Sequence, residues 1–255
     1  MLREKNNNQT MNKTENYDLT IIVPVYNEEE SLPRVEKAMR DYMAHGSLRT
    51  CVLFVNDGSK DDSLTLIREI CGRNEAMFYI SFVQNRGLSA AIKAGFDEAG
   101  SRYVGYIDAD LQTTPEDFEL LIPHLEKYPL SMGIRAGRKD SAFKRMQSRI
   151  ANGFRRMFTH DGVDDTGCPL KILWTDYAKR IPMFNGMHRF LPALILLQEG
   201  GAVHQTPVRH FPRTEGVSKY HLWNRLAGPF ADCFGYRWMA KRYINYNIGE
   251  SNLDK

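Results

Sequence analysis

Val104-Gly-Tyr-Ile-Asp-Ala-Asp-Leu-Gln-Thr-Thr-Pro115 decides how the rest of the chain is read. Val104, Tyr106 and Ile107 favour an extended backbone. Asp108 and Asp110 stand where such a strand ends, with Gln112 two residues further on. Thr114-Pro115-Glu116-Asp117 then has the grammar of a helix start: Thr as cap, Pro in the first turn and acids beside it. Residues two apart on an extended chain point the same way, so Asp108, Asp110 and Gln112 present oxygens on one side. Open α/β sheets bind ligands beyond the carboxyl ends of their strands. Two close carboxylates repel unless a cation lies between them, and a hard divalent ion that also takes phosphate oxygens suits that place. Taken alone, an Asp-x-Asp pair reads first as two solvated loop aspartates.

Working outward, the same grammar recurs. Leu19–Val25 is a short β-branched run, followed by Tyr26-Asn-Glu-Glu-Glu-Ser31 and an amphipathic segment to about Ala44. Cys51–Val55 leads into the turn-and-cap cluster Asn56-Asp-Gly-Ser-Lys-Asp-Asp62 and a helix to about Cys71. Phe78–Val83 precedes Gln84-Asn-Arg-Gly-Leu-Ser-Ala-Ala-Ile-Lys-Ala-Gly-Phe96, a glycine turn that becomes a small-residue helix. Strand and helix alternate up to the Tyr103–Ile107 strand. This predicts a doubly wound α/β sheet with right-handed crossovers. Asp57, at the end of the second strand, is placed to accept hydrogen bonds from a base or ribose, with Gly58 allowing close approach; a helix cap is the plainer role. There is no G-x-G-x-x-G loop and no Walker A lysine, which disfavours dinucleotide and P-loop binding.

The chain has 255 residues, enough for a substantial core, with 42% hydrophobic and 25% charged residues. Its net charge of +3 gives no argument for nucleic acid. Four cysteines without a Cys-x-x-Cys pair argue against a zinc ribbon or disulfide scaffold and fit a reducing compartment. Residues 1–18 are polar, without the apolar core of a signal peptide, and are expected to form a flexible tail. No stretch approaches the roughly 18 apolar residues of a spanning helix.

Beyond Leu130 the character changes. In 141–158, Phe143, Met146, Ile150, Phe154 and Met157 recur at helical spacing, flanked by Lys144, Arg145, Arg149, Arg155 and Arg156. This is either a surface helix with a solvated basic face or an interfacial helix whose bases meet anionic lipid or phosphate. Asp164-Asp-Thr-Gly-Cys-Pro169 is a turn feeding a strand from Leu170 to Trp174; a short apolar helix runs from Phe190 towards Glu199, and Val203–Val208 is a further strand. Residues 221–255 are rich in aromatics and bases. They suit a membrane interface, a core-packing helix or a dimer face, with a break at Gly228-Pro229.

Ile-Val-Pro-Val-Tyr-Asn-Glu-Glu (22–29), Val-Asn-Asp-Gly-Ser-Lys-Asp-Asp-Ser (55–63), Asn-Arg-Gly-Leu-Ser-Ala-Ala (85–91) and Asp-Ala-Asp-Leu-Gln (108–112) resemble family 2 glycosyltransferases of GT-A fold. Asp-Thr-Gly-Cys-Pro-Leu-Lys (165–171), His-Arg-Phe-Leu-Pro (188–192) and Arg-x-x-Gly-x-Ser-Lys-Tyr (213–220) resemble the dolichol- or polyprenyl-phosphate sugar synthase branch. The resemblance implies a GT-A catalytic domain over 19–220, with a doubly wound, mixed but mainly parallel sheet and helices on both faces. It implies interfacial attachment through 141–158 and 221–255. It places Pro24, Tyr26, Glu28 and Asp57 at the nucleoside of a sugar nucleotide, and Asp108, Asp110 and Gln112 around Mg2+ or Mn2+ on the diphosphate. Arg138, Arg145, Ser148 and Arg213 would receive a lipid phosphate, with Lys219 near the donor or that phosphate. Asp165 and His188-Arg189 would line the sugar, and Asp110, Asp165 and Arg213 would be the catalytic residues. The expected reaction is inverting transfer of a hexose, of mannose or glucose type, from GDP-mannose or a UDP-hexose to a polyprenyl phosphate. The expected location is the cytoplasmic membrane face, the protein being peripherally bound and compatible with a homo-oligomer. Rival readings are transfer to another glycan, lipid or protein, a non-catalytic nucleotide-sugar or membrane-binding module, and a nucleotidyltransferase. On the residues themselves, the cysteines, and His188, His204 and His210, are read as structural, the histidines having no familiar zinc spacing.

Overall fold

The computed structural model describes residues 12–135, 153–212, 227–246 and 249–250. Among these, one seven-stranded sheet organises the molecule. Its strands are β1 (Leu19–Val25), β2 (Thr50–Asn56), β3 (Met77–Ser81), β4 (Tyr103–Tyr106), β5 (Leu130–Arg135), β6 (Lys171–Trp174) and β7 (Val203–Val208). Their order across the sheet is β3-β2-β1-β4-β6-β5-β7. β1, β2, β3 and β4 are mutually parallel. β6 runs antiparallel to both β4 and β5, and β7 is parallel to β5. The sheet is therefore mixed and mainly parallel.

Alternation along β1 and β2 explains why both faces are covered. Leu19, Ile21, Val23 and Val25, with Val52 and Phe54, pack on one face against Leu32, Val35 and Met39 of α1 (Leu32–His45) and Ile67 and Ile70 of α2 (Ser63–Arg73). Ile22, Leu53 and Val55 point the other way, into a second core with Ala91, Ile92 and Phe96 of α3 (Leu88–Glu98). The near-continuous apolar runs are those of strands buried on both faces. Gly95 lets α3 approach closely: a Cβ there would lie 2.6 Å from Ile22 Cδ1.

α4 (Phe118–Leu121) follows the β4 loop. Residues 153–159 are helical (α5), and α6 (Thr175–Lys179), α7 (Leu191–Leu196) and α8 (Ala227–Ala240) complete the second face. α8 buries Cys233, Tyr236 and Met239 and exposes Phe230, Phe234 and Trp238. Phe230 stacks on Phe154 at 4.5 Å, and Arg242 lies 4.8 Å from the Trp238 ring centroid. Among the described residues, no helix is long and apolar enough to cross a membrane.

Three differences from the sequence expectations have physical causes. Part of the stretch expected as tail is packed: Lys13–Asn16 forms a helical turn, Thr14 Oγ1 accepts from Gly100 N at 2.7 Å, and Asn12 Nδ2 donates to Glu98 O at 2.7 Å. Leu130–Arg135 is a strand with no counterpart among the sequence expectations. Gly228-Pro229, where a break in the 222–246 stretch was expected, lies at the start of the described part of α8, and residues 213–226 before it lie outside the described residues. Finally, Arg155, which both readings of 141–158 put on an exposed basic face, is 6% exposed. Its guanidinium pairs with Asp161 and donates to Val163 O at 2.7 Å, so it serves the fold. Arg156 also turns back, to Asp164 at 2.6 Å. Residues 141–152 lie outside the described residues.

Candidate functional site

The register places four strand ends together. Val25 pairs with Asn56, Asn56 with Ser81, and Ile22 with Tyr106, so the segments after β1, β2, β3 and β4 emerge along one edge. The end of β1 and the loop after it carry three of the predicted donor-side residues. Pro24 is in the strand, paired with Val55, and Tyr26 and Glu28 follow it. Asn27 adopts a left-handed conformation (φ 52°), which lets the chain turn sharply. Its backbone N donates to Ser59 Oγ at 3.0 Å, and its side-chain oxygen accepts from Lys60 N at 2.8 Å. Glu28 N donates to Ser63 Oγ at 2.9 Å, and the Glu28 carboxylate accepts from Ser31 Oγ at 3.1 Å. The two loops are thus joined by the side chains of Asn27, Ser59 and Ser63.

Asp57 is 3% exposed. Its Oδ1 accepts from Arg86 N at 2.6 Å, and its Oδ2 accepts from Gly87 N at 2.9 Å and Asn85 Nδ2 at 2.8 Å. The carboxylate that the sequence places at a nucleobase therefore organises the turn that starts α3. Gly58 is required there: it has φ 65°, and a Cβ would come within 2.5 Å of Gln84 C. The role suggested from sequence and the one built into the fold are different hydrogen-bonding duties of one group.

Beyond β4 the chain turns tightly. Leu111 has φ 48°, its N donates to Asp108 O at 3.2 Å, and Gln112 N donates to Asp110 Oδ1 at 3.1 Å. Asp108 Oδ1 accepts from Tyr106 Oη at 2.5 Å. Asp110 is 7% exposed, and its carbonyl accepts from Arg34 Nη2 of α1 at 2.6 Å. Burial, then the negative charge of Asp110, pushes the Asp108 carboxyl up to about 6. The negative charge of Asp110 thus acts on the buried Asp108 carboxyl. Among the described residues no group of three or more His, Cys, Asp or Glu gathers to hold a metal. The donor set fits a divalent ion that takes its remaining oxygens from a diphosphate, because two acidic oxygens relieved of repulsion by Mg2+ or Mn2+ leave coordination positions for substrate. Gln112 sits on this loop, and its backbone carbonyl accepts from Phe211 N at 2.8 Å.

Asp165 is engaged by Arg135 in a two-pronged pair, Nε to Oδ2 and Nη2 to Oδ1, both at 2.8 Å. Arg135 is absent from the residues expected at the site, because it ends β5, a strand without a sequence signal. Lys171, buried at 2% exposure, donates to the carbonyls of Thr166 and Cys168 and lies 5.9 Å from the Tyr106 ring centroid. A lysine in the apolar run Leu170–Trp174 is the signal that could have found it. His188 Nδ1 lies 2.7 Å from Ser89 Oγ, which also accepts from Gly186 N at 3.0 Å. Burial, with Arg189 and Lys171 adding repulsion, drives the His188 imidazole down to about 3. It is therefore a neutral ring joining the segment before α7 to α3. Arg138, Arg145, Ser148, Arg213 and Lys219 lie outside the described residues.

The profile of Glycosyl transferase family 2 matches residues 20–178. A dodecaprenyl-phosphate galacturonate synthase from Rhizobium johnstonii is 33% identical over 219 residues, covering 84% of this chain and 64% of that protein. An undecaprenyl-phosphate 4-deoxy-4-formamido-L-arabinose transferase from Pseudomonas savastanoi pv. phaseolicola is 32% identical over 207 residues, covering 79% of this chain and 60% of that protein. The chain thus spans less than two thirds of the length of these curated relatives. Among solved structures, a mannosyltransferase from Pyrobaculum calidifontis in complex with GDP-Man and Mn2+ superposes with a TM-score of 0.65 at 17% identity, over 91% of this chain and 66% of that one. A glucosyl-3-phosphoglycerate synthase from Mycobacterium tuberculosis in complex with Mn2+, UDP-Glc and phosphoglyceric acid gives 0.65 at 14% identity, over 95% and 86%. At such identities the likeness is one of fold, and that fold is GT-A. With the family profile covering every strand from β1 to β6, the chain belongs to glycosyl transferase family 2.

Proposed function

We propose that this chain transfers a sugar from a nucleotide sugar to a polyprenyl phosphate at the cytoplasmic membrane surface, with inversion at the anomeric carbon and with Mg2+ or Mn2+. The single observation that carries the reading is the Asp108–Asp110 pair on a braced turn at the carboxyl end of β4, beside the loops that follow β1 and β2. The names of the relatives support a polyprenyl-phosphate acceptor. For the donor, GDP-mannose and the UDP-hexoses remain our candidates, joined by nucleotide forms of galacturonate and formamido-arabinose on the strength of those names.

The chemistry follows from charge. A polyprenyl phosphate is already ionised at neutral pH, so no general base is needed to make it a nucleophile. The protein must instead bring two anions together and hold the departing nucleoside diphosphate. When bound, a divalent ion supplies Lewis-acid stabilisation of that leaving group. Asp108 and Asp110 hold it, and Arg34 fixes the peptide that carries Asp110. Pro24, Tyr26 and Glu28 border the nucleoside, on loops tied to each other by Asn27, Ser59 and Ser63. Arg138, Arg145, Ser148 and Arg213 receive the acceptor phosphate, where guanidinium groups bind two oxygens at once, with Lys219 at the donor or the acceptor phosphate. Catalysis is then positioning plus preorganised electrostatics.

The test is a screen of nucleotide sugars against polyprenyl phosphate with Mn2+, Mg2+ or EDTA, reading both lipid-linked sugar and released nucleoside diphosphate. The expected result is one preferred donor, a lipid-linked product, and loss of both signals with EDTA or in Asp110→Asn. Nucleoside diphosphate release only with a water-soluble or protein acceptor would overturn the lipid assignment, and pyrophosphate release would overturn glycosyl transfer.

A further inference from the structure

We infer that the segment Arg209–Phe211 clamps the carboxylate-bearing loop, and that Arg209 and Asp117 are positioning residues for the divalent ion; this rests on the reading of Asp108 and Asp110 as its ligands. The loop from Asp108 to Asp117 is short of its own support. Its internal bonds are local ones: Leu111 N to Asp108 O, Gln112 N to Asp110 Oδ1, and Asp117 N to Thr114 O at 3.2 Å. Among the described residues, the bonds that tie its far end to the sheet come from the chain that continues β7 beyond Val208. Phe211 N donates to Gln112 O at 2.8 Å. Arg209 N donates to Asp117 Oδ2 at 2.7 Å, and Arg209 Nε donates to Asp117 Oδ1 at 2.8 Å.

Three features make this a registering device rather than an incidental surface pair. First, Arg209 and Phe211 stand two residues apart just beyond β7 and grip the loop at two points, Asp117 and Gln112. Second, Asp117 is 2% exposed, and it accepts from the main chain and the side chain of one residue. A slip of one residue along the strap would leave a buried carboxylate without its partners, which is costly. Third, the clamp is coupled to a candidate ligand. The residue held by Phe211 is Gln112, whose own N–H donates to Asp110 Oδ1 and so fixes which way that carboxylate faces. Groups that orient a ligand from behind typically govern metal affinity by about 10–100-fold. Arg209 itself has a side chain 58% exposed, so its removal need not disturb the core.

The experiment measures Mn2+ binding to the full chain, by the electron paramagnetic resonance signal of free Mn2+ with UDP or GDP present. Arg209→Ala, Asp117→Asn and the double variant are compared at a temperature where circular dichroism shows each fully folded. Arg209→Ala is expected to weaken Mn2+ about tenfold. Asp117→Asn should weaken it at least as much, and the double variant no more than the stronger single change. In turnover assays the KM for Mn2+ should rise more than kcat falls. Mn2+ affinity within twofold of wild type in Arg209→Ala overturns the clamp while leaving the metal site intact, and it decides the matter even where Asp117→Asn does not fold. A wild-type chain with no saturable Mn2+ binding overturns the metal reading itself, and the clamp's function with it.

Discussion

Asp57 separates two accounts of one carboxylate, and Asp57→Asn distinguishes them. In the fold, one oxygen accepts from Arg86 N, and the other accepts from Gly87 N and Asn85 Nδ2. An amide in the same place has one acceptor and one donor, so either orientation turns an NH2 group against an N–H. Hydrogen bonds to a charged group contribute about 1.5–3 kcal/mol each. Losing one outright and weakening two others costs about 3 kcal/mol. Asp57→Ala loses all three, but residues 84–86 are exposed and water reaches the released donors, which limits the loss to about 3–5 kcal/mol. For a chain of this size each kcal/mol lowers Tm by about 2–4 °C, so Asp57→Asn should melt roughly 6–12 °C below wild type. Affinity should fall for every nucleotide alike, because the substitution loosens the turn that opens α3 and leaves discrimination among bases untouched. The assays are thermal denaturation and calorimetric titration with UDP, GDP and CDP. A variant with wild-type Tm whose preference shifts from one base to another would refute this account and make Asp57 a base reader only.

Further outcomes follow from the same geometry. Arg155→Met should destabilise by about 3–5 kcal/mol, because it strands the carboxylate of Asp161 in the core; urea denaturation reads it, and a loss below about 1 kcal/mol would count against the pair. His188 is held neutral, with its pKa depressed to about 3 from 6.5, so the folded state binds fewer protons than the unfolded one between those values. Stability is then complete above about pH 6.5 and falls by about 2 kcal/mol by pH 5. His188→Gln should flatten that slope, and an unchanged profile would show that other groups set it. Reversing Arg237, Lys241 and Arg242 to Glu should release the chain from anionic vesicles by roughly a hundredfold or more, at about 1 kcal/mol per base; unchanged sedimentation would exclude α8 as the contact.

The parallel half of the sheet was legible because its signals are local. Leu19–Val25 and Cys51–Val55 are β-branched runs with turn chemistry at both ends, and Asp108-Ala-Asp110 is marked by the strand before it. β5 was not legible. Leu-Ser-Met-Gly-Ile-Arg is held as a strand by β6 and β7, which lie far along the chain, and its Gly133 answers a tertiary demand: a Cβ there would stand 2.6 Å from Val208 Cγ2. With β5 unseen, Arg135 could not be matched to Asp165. Arg155 misled for a related reason. Helical spacing gives a base's angular position but not the aspartate that draws it inward, and Asp161 lies in the turn beyond the helix. The strap onto Gln112 and Asp117 joins residues whose partnership no spacing rule encodes.

The place of β6 between β4 and β5 has a consequence for biosynthesis. β3, β2, β1 and β4 are made in one continuous stretch and can pair as soon as Tyr106 has emerged. The outer edge of β4 must then wait for its antiparallel partner, which ends at Trp174. At translation rates of about 5–20 residues per second that wait lasts roughly 3–14 s. Throughout it the nascent chain displays an unpaired strand, the template on which sheets from different molecules join. β5 waits as well, since both its neighbours follow it in sequence. Ribosome-associated chaperones should therefore engage this chain between those two points, and fragments ending before Trp174 should aggregate where the full chain does not.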